Sequence, residues 1–210
     1  MQDSAIVLKV NNYKDRDLII SFLSKENGRL TACARNAKGS KKRFSGGIDI
    51  FNCAKIKIGK KNNRPNNLES YSIIESWQNL ATNPKLFSLS SFCIEVILSL
   101  TQEDQEEALE LFMPLFKSLR LLNKSENLNQ QKSICIFLSL QSLEITGFGL
   151  PNLEVPSDKN KDLSDWIYAM STKMQPIVPK KTELIDLALE KIKFNISNLT
   201  GREIRSLDLI

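Results

Sequence analysis

Five cations fall within nine residues at Arg35, Lys38, Lys41, Lys42 and Arg43, with no acid among them. A second run follows at Lys55, Lys57, Lys60, Lys61 and Arg64. Lysine as a point charge and arginine as a planar fork both suit phosphate oxygens, so the chemistry these residues offer is capture of a phosphate backbone. Gly39, Ser40 and Gly46-Gly47 predict a mobile backbone able to approach such a ligand closely. One run alone reads as a solvated face; two in one segment favour nucleic acid. The stacking candidates in this half are Tyr13, Phe44, Phe51 and Tyr71. Phe51 faces either the core of the β segment or a following helical one, and Phe44 is either a platform or a loop anchor. With so few rings, recognition is expected to be mainly electrostatic and poor in base information.

Little else could do chemistry. The chain has no histidine, which removes His-based triads, general bases and metal ligands. Cys33, Cys53, Cys93 and Cys135 stand far apart in apolar or strand-like runs. They form no C-x-x-C pair or metal-ligand spacing, and read as buried thiols in a reducing cytosol. Glu103-Asp104 and Glu106-Glu107 precede a helical pattern. There they favour the helix dipole, with Thr101 and Asp104 as a capping pair; paired acid–base work is the alternative. Gly39-Ser-Lys-Lys42 only echoes a P-loop, since G-x-x-x-x-G-K-[ST] does not occur. The sequons at Asn123, Asn195 and Asn198 are expected to be chance. No metal, cofactor or enzymatic activity is expected.

The elements that position the cations follow from length and patterning. The 210 residues are 41% hydrophobic and 25% charged with a net charge of +5, ordinary for one or two globular domains. The charge is divided: residues 1–67 hold 15 Lys and Arg against 5 Asp and Glu, whereas residues 68–210 hold 14 against 19. No apolar run reaches the roughly 18 residues of a membrane helix. The opening Met-Gln-Asp-Ser has no basic n-region, so no signal peptide is expected.

Alternation predicts strands over 4–10, 17–24, 29–35, 48–58 and 68–74, with a hairpin turn at Glu26-Asn-Gly28. Five short strands in so short a stretch imply a small barrel or sandwich. Near residue 77 the period becomes helical. Asn83-Pro84 starts a helix whose face carries Leu86, Leu89, Cys93, Ile97 and Leu100. A second spans Ala108 to Leu122 and bends at Pro114. Residues 133–145 are apolar almost all round and read as a central helix stopped by Gly147. Residues 148–161 read as loop and 162–172 as a short helix. The last helix, 182–199, turns Ile185, Ala188, Leu189, Ile192, Ile196 and Leu199 inward. The class is α+β: a basic β domain, residues 1–78, then an α-helical domain, residues 79–210.

These residues resemble a known family. Ala5-Ile-Val-Leu-Lys-Val10, Tyr13-Lys-Asp-Arg-Asp-Leu-Ile19, Ser24-Lys-Glu-Asn-Gly28-Arg-Leu-Thr-Ala32 and the basic loop from Ala34 to Phe44 resemble the opening of the bacterial recombination mediator RecO. Leu199-Thr-Gly-Arg-Glu-Ile-Arg-Ser206-Leu207 resembles the family's closing segment. The resemblance covers about the first 60 residues well and the C-terminal 30 or so reasonably; the middle matches mainly in apolar pattern.

The resemblance implies a five-stranded OB-fold barrel followed by helices, in a cytoplasmic, nucleoid-associated and non-enzymatic DNA repair factor. It implies binding of single- and double-stranded DNA, annealing of complementary strands, and loading of RecA onto strands coated by single-stranded-DNA-binding protein (SSB). RecR and the acidic, Phe-ending SSB tail are the implied partners, with no membrane role. Arg35, Lys38, Lys41, Lys42 and Arg43 match the family's DNA-binding loop. Lys193, Arg202 and Arg205 are candidate rim cations for the SSB tail, or ordinary surface charges. Many members carry a four-cysteine zinc module after the segment matching Thr146-Gly-Phe-Gly-Leu-Pro-Asn-Leu153. Here Glu154-Val-Pro-Ser-Asp158 follows and no cysteine comes after Cys135, so a zinc-free loop over 146–161 is expected. An OB-fold RNA-binding module and a protein-interaction module remain the alternatives.

Overall fold

The computed structural model describes residues 1–40, 42–59, 66–103, 105–149 and 157–206. Six strands form one sheet: β1 (Gln2–Tyr13), β2 (Asp17–Ser24), β3 (Gly28–Ala34), β4 (Phe44–Ser45), β5 (Cys53–Gly59) and β6 (Asn66–Glu75). Their order is β3-β2-β1-β5-β6-β4, and β3 also pairs with β6 through Ala32–Asn66 and Cys33–Asn67. That pairing closes the five longer strands into a barrel, leaving β4 as a two-residue addition alongside β6. The N-terminal fold is an OB barrel and helices follow it.

Alternation along the strands serves two cores at once. Ala5 and Val7 of β1, Ile20 and Phe22 of β2, and Ala54 and Ile56 of β5 fill the barrel. The intervening Ile6, Leu8, Leu23 and Cys53 face outward and pack under the helices. Leu8 is the extra residue of a bulge between Val7 and Lys9. After it, Val10 turns back toward the barrel interior.

Two strand expectations change. The segment from Ile48 does not enter the sheet until Cys53, because Phe51 adopts φ 67°, a conformation that costs a bulky residue energy. The ring is held edge-on to Phe87 at 5.7 Å in the helical core. Strand β4 lies inside the basic loop and is too short for a periodic signal. Its Phe44 is buried in the barrel core, so this ring is the loop's anchor and not a stacking platform.

The helices are α1 (Gln78–Thr82), α2 (Pro84–Leu100), α3 (Glu107–Glu110), α4 (Phe112–Lys124), α5 (Leu128–Ile145), α6 (Ser157–Lys173) and α7 (Glu183–Thr200). Asn83 caps α2 by accepting from the amides of Lys85 and Leu86 at 3.0 and 3.2 Å. Instead of bending at Pro114, the chain ends α3 at Glu110 and restarts as α4 at Phe112. Proline disfavours a continuous helix because its ring crowds the carbonyl four residues back. Helix α5 starts at Leu128 under an Asn127 cap, five residues before its apolar run, since the first turn is polar.

Gly147, at φ 77°, ends α5: its amide donates to Glu144 O at 3.1 Å and that of Phe148 to Leu143 O at 2.9 Å. Helix α6 begins at Ser157, inside the stretch read as loop; its polar first turn carries no apolar spacing. Leu199, expected inward, is 46% exposed in the last turn of α7 before Gly201 turns the chain away. A capping pair with Asp104 falls on a residue outside those described; Thr101 Oγ1 donates to Ile97 O at 2.6 Å.

All four cysteines are free and buried. Burial, with a smaller contribution from Glu75, pushes the Cys53 thiol up to about 12 from an ordinary 9.0. Burial also pushes the Tyr71 phenol up to about 12 from 10.0, opposed by the nearby Asn52 side chain. Both groups are neutral when protonated, and the folded state holds the proton more tightly than the unfolded chain. Their stabilisation is therefore complete below about pH 9 and is lost as pH rises through about 12. Urea midpoints are expected to be flat up to about pH 9 as far as these groups are concerned, and to fall above it. The fall should be shallower in a Cys53→Ala/Tyr71→Phe variant; an unchanged alkaline slope in that variant refutes the assignment.

Candidate nucleic-acid interface

Over its described residues the basic loop between β3 and β4 is a hydrogen-bonded turn. Asn36, at φ 52°, accepts through its carbonyl from the amides of Gly39 and Ser40 at 3.1 and 3.0 Å. A Cβ at Gly39 would lie 2.7 Å from Asn36 Oδ1, a side-chain end that would have to turn aside. Arg43 spends its fork inside the loop. Its Nε donates to Ser40 Oγ at 3.1 Å, its Nη2 donates to Arg35 O at 2.7 Å, and the guanidinium lies 5.0 Å from the Phe44 ring centre. Arg43 is a brace. Arg35, Lys38 and Lys42 are exposed and make no ion pair among the described residues.

The hairpin tip between β1 and β2 joins this loop. Arg16 O accepts from the Lys38 amide at 3.3 Å, and Asp17 Oδ1 accepts from the Asn36 amide at 2.8 Å. Lys14 and Arg16, both exposed, thereby reach the cations of the basic loop. Sequence reasoning missed these two, which stand among Asp15 and Asp17 and form no charge run. Their only signal was the polar turn between two strands. Beside them Tyr13 is 43% exposed, with Lys14 Nζ 5.4 Å from its ring centre. Of the four aromatic candidates it alone is available for stacking, since Phe44, Phe51 and Tyr71 are buried.

Lys55 and Lys57 point outward from β5, alternating with the buried Ile56. Across the sheet Lys55 stands opposite Ser72, and Ser72 opposite Ser45. Two strand spacings, about 10 Å, therefore separate Lys55 from the end of the basic loop. Lys57 is paired with Glu69 at 3.1 Å. Lys55 thus shares an outward face with Ser45, across β6 from the end of the basic loop. Lys41, Lys60, Lys61 and Arg64 lie outside the described residues.

Residues 1–77 match the family model described as "Recombination protein O N terminal". The "DNA repair protein RecO" of Desulfatibacillum aliphaticivorans is 30% identical over 165 residues, 78% of this chain and 62% of the relative. The protein of the same name from Syntrophus aciditrophicus is 29% identical over 143 residues, 68% of this chain and 54% of the relative. The chain belongs to the RecO family. It spans less than two thirds of the length of these two relatives.

In this RecO-family chain the barrel is tied to the helices at the C-terminal end of α2. Arg29 of β3 donates through Nη1 to Leu98 O at 3.1 Å and to Thr101 O. Arg202 donates to the same Leu98 O at 2.6 Å. These two guanidinium groups complete the open carbonyls of α2 and suit the negative end of its dipole. Burial and then the neighbouring Arg202 charge pull the Arg29 pKa down, while Glu103 opposes them.

The three candidate partner residues have different surroundings. Arg202 lines a cleft of about 290 Å³ with Leu100, Phe148 and Leu199. Arg205 is paired with Glu203 at 2.9 Å. Lys193 is half-buried on α7 and already engaged. Among the described residues no group of three or more His, Cys, Asp or Glu is placed to hold a metal. No described helix is long and apolar enough to cross a membrane.

Proposed function

We propose that this chain acts in DNA repair and recombination as a non-enzymatic mediator. It binds single- and double-stranded DNA, anneals complementary strands and helps load RecA onto SSB-coated single strands. The observation that carries this reading is the convergence of Lys14, Arg16, Arg35, Lys38 and Lys42 beside the exposed Tyr13 at one end of an OB barrel. Such an end follows a strand by its phosphates and offers one ring for a base. The nucleic-acid-binding unit is residues 1–78. Lys55 and Lys57, with Lys41, Lys60, Lys61 and Arg64, extend the positive field, and Arg43 holds the loop in shape.

Annealing on such a surface needs no nucleotide. Cations lower the mutual repulsion of two strands, and holding both on one protein raises their effective concentration. RecR and the SSB tail are the proposed partners. The cleft at Arg202 supports the second: Phe148 and Leu199 offer apolar contact and the guanidinium offers a carboxylate partner. Lys193 and Arg205 would act only as outer cations. The proposed location is the cytoplasm, at the nucleoid.

The test is ATP-free annealing of complementary DNA, naked and SSB-coated, across a salt series. The expected result is salt-sensitive annealing that persists on coated strands. Annealing of naked strands alone reduces the protein to a general DNA binder. If matched RNA outcompetes DNA, the module reads RNA; if neither binds while an acidic protein does, it is an interaction module.

A further inference from the structure

We propose that Glu103, a residue of the helical domain, ends the nucleic-acid path on the outer face of the barrel. The proposal rests on the nucleic-acid reading of the barrel and adds to it a residue that limits the footprint. Beyond the bulge at Leu8, register places Lys9 opposite Ser21 and Ser21 opposite Thr31, giving one polar row across β1, β2 and β3. Ser21 Oγ and Thr31 Oγ1 lie 3.2 Å apart. At the far end of the row, Thr31 Oγ1 donates to Glu103 Oε1. The hydroxyl a phosphate would otherwise use is therefore spent on a carboxylate.

This carboxylate is exposed and makes no ion pair among the described residues. The Arg29 guanidinium, which interacts with Glu103 through space, is directed into the carbonyls of Leu98 and Thr101. The segment after Glu103 packs closely on the barrel: a Cβ at Gly28 would lie 3.1 Å from Gln105 O and 3.2 Å from Ala108 Cβ. Along β3, four residues separate Thr31 from Arg35, about 13 Å. That exceeds the roughly 8 Å Debye length of physiological salt, so Glu103 leaves the loop cations effective. Phosphates crossing the Ser21–Thr31 row come within that length and are repelled. The strand is thereby held to the loop end of the barrel and kept off the junction with the helices.

Glu103→Gln removes the charge and keeps an acceptor for Thr31; Glu103→Lys replaces repulsion with a further phosphate contact. The probe is a series of fluorescent oligo-dT strands of increasing length, titrated into the full chain at several salt concentrations. A Lys38→Ala/Lys42→Ala variant is run in parallel. For Glu103→Gln the occluded length is expected to grow by about one or two nucleotides. Affinity for long strands should rise about threefold, with short strands unaffected. For Glu103→Lys the salt slope should steepen by about 0.7, one more phosphate on a single strand. Unchanged length, affinity and slope in both Glu103 variants, while the lysine variant binds more weakly, overturn the proposal and leave the nucleic-acid reading standing. If the Lys38→Ala/Lys42→Ala variant also binds like the parent, the phosphate contacts lie elsewhere on the barrel and a path running from the loop to Glu103 falls with them.

Discussion

Replacing Arg35, Lys38 and Lys42 together by Ala is expected to weaken single-strand binding about fiftyfold at 0.15 M salt and to lower the salt slope by about 2. Three lost phosphate contacts at about 0.7 each give that slope, and its counterion share at 0.15 M gives that factor. These three are chosen because the fold does not use them: all are exposed and lack an ion pair among the described residues. The folded state should therefore be unchanged by circular dichroism while anisotropy titrations shift. Arg43→Ala is the informative contrast. Its guanidinium bonds Ser40 and Arg35 within the loop, so its loss should loosen the turn and weaken binding with little change in slope. An unchanged slope in the triple variant places the phosphate contacts elsewhere on the barrel.

That contrast marks where sequence stops being informative. Charge counting sees Arg35 and Arg43 as equals, because whether a guanidinium reaches solvent or a neighbouring carbonyl depends on a turn closed by Asn36 and Gly39. Lys14 and Arg16 were invisible for a related reason. They join the site through hydrogen bonds spanning 19 and 22 residues, from Asp17 to Asn36 and from Arg16 to Lys38, and no local pattern encodes those. Longer elements were legible. Strand β2 runs over Asp17–Ser24 as its apolar run predicts, and α2 starts at the Asn83-Pro84 signal. In both, local preference and burial agree. Where they disagree, as at Phe51 held at positive φ by its place in the helical core, alternation misplaced the start of β5.

The second large effect concerns Asp3, which in the sequence is only an acid of the opening Met-Gln-Asp-Ser, ahead of the first expected strand. Its neighbours in β1 alternate Ala5 and Val7 into the barrel. In the same alternation Asp3, opposite Ile56, points toward the barrel end beneath the β2–β3 turn. The residue is 6% exposed. Its carboxylate accepts from the Ser4 amide at 2.6 Å, from Ser24 Oγ, and from the Glu26 amide and Asn27 Nδ2 at 3.0 Å each. Asp3→Ala leaves several donors unpaired, Ser24 among them with no exposed surface. The expected cost is about 3 kcal/mol, read as a lower urea midpoint at unchanged m.

Asp3→Asn should cost nearly as much, since all the partners donate and an amide would present its own N–H groups to some of them. This is the reverse of the tolerance expected for Glu103→Gln, where a single hydroxyl needs one acceptor. The damage should also spread to the domain junction. The turn that Asp3 holds delivers Gly28, at φ 62°, against α3 and starts the strand that carries Arg29 to the end of α2. Amide exchange is therefore expected to quicken in α3 as well as in the turn. An Asp3→Asn protein as stable as the parent, with α3 equally protected, would mean that the carboxylate organises neither.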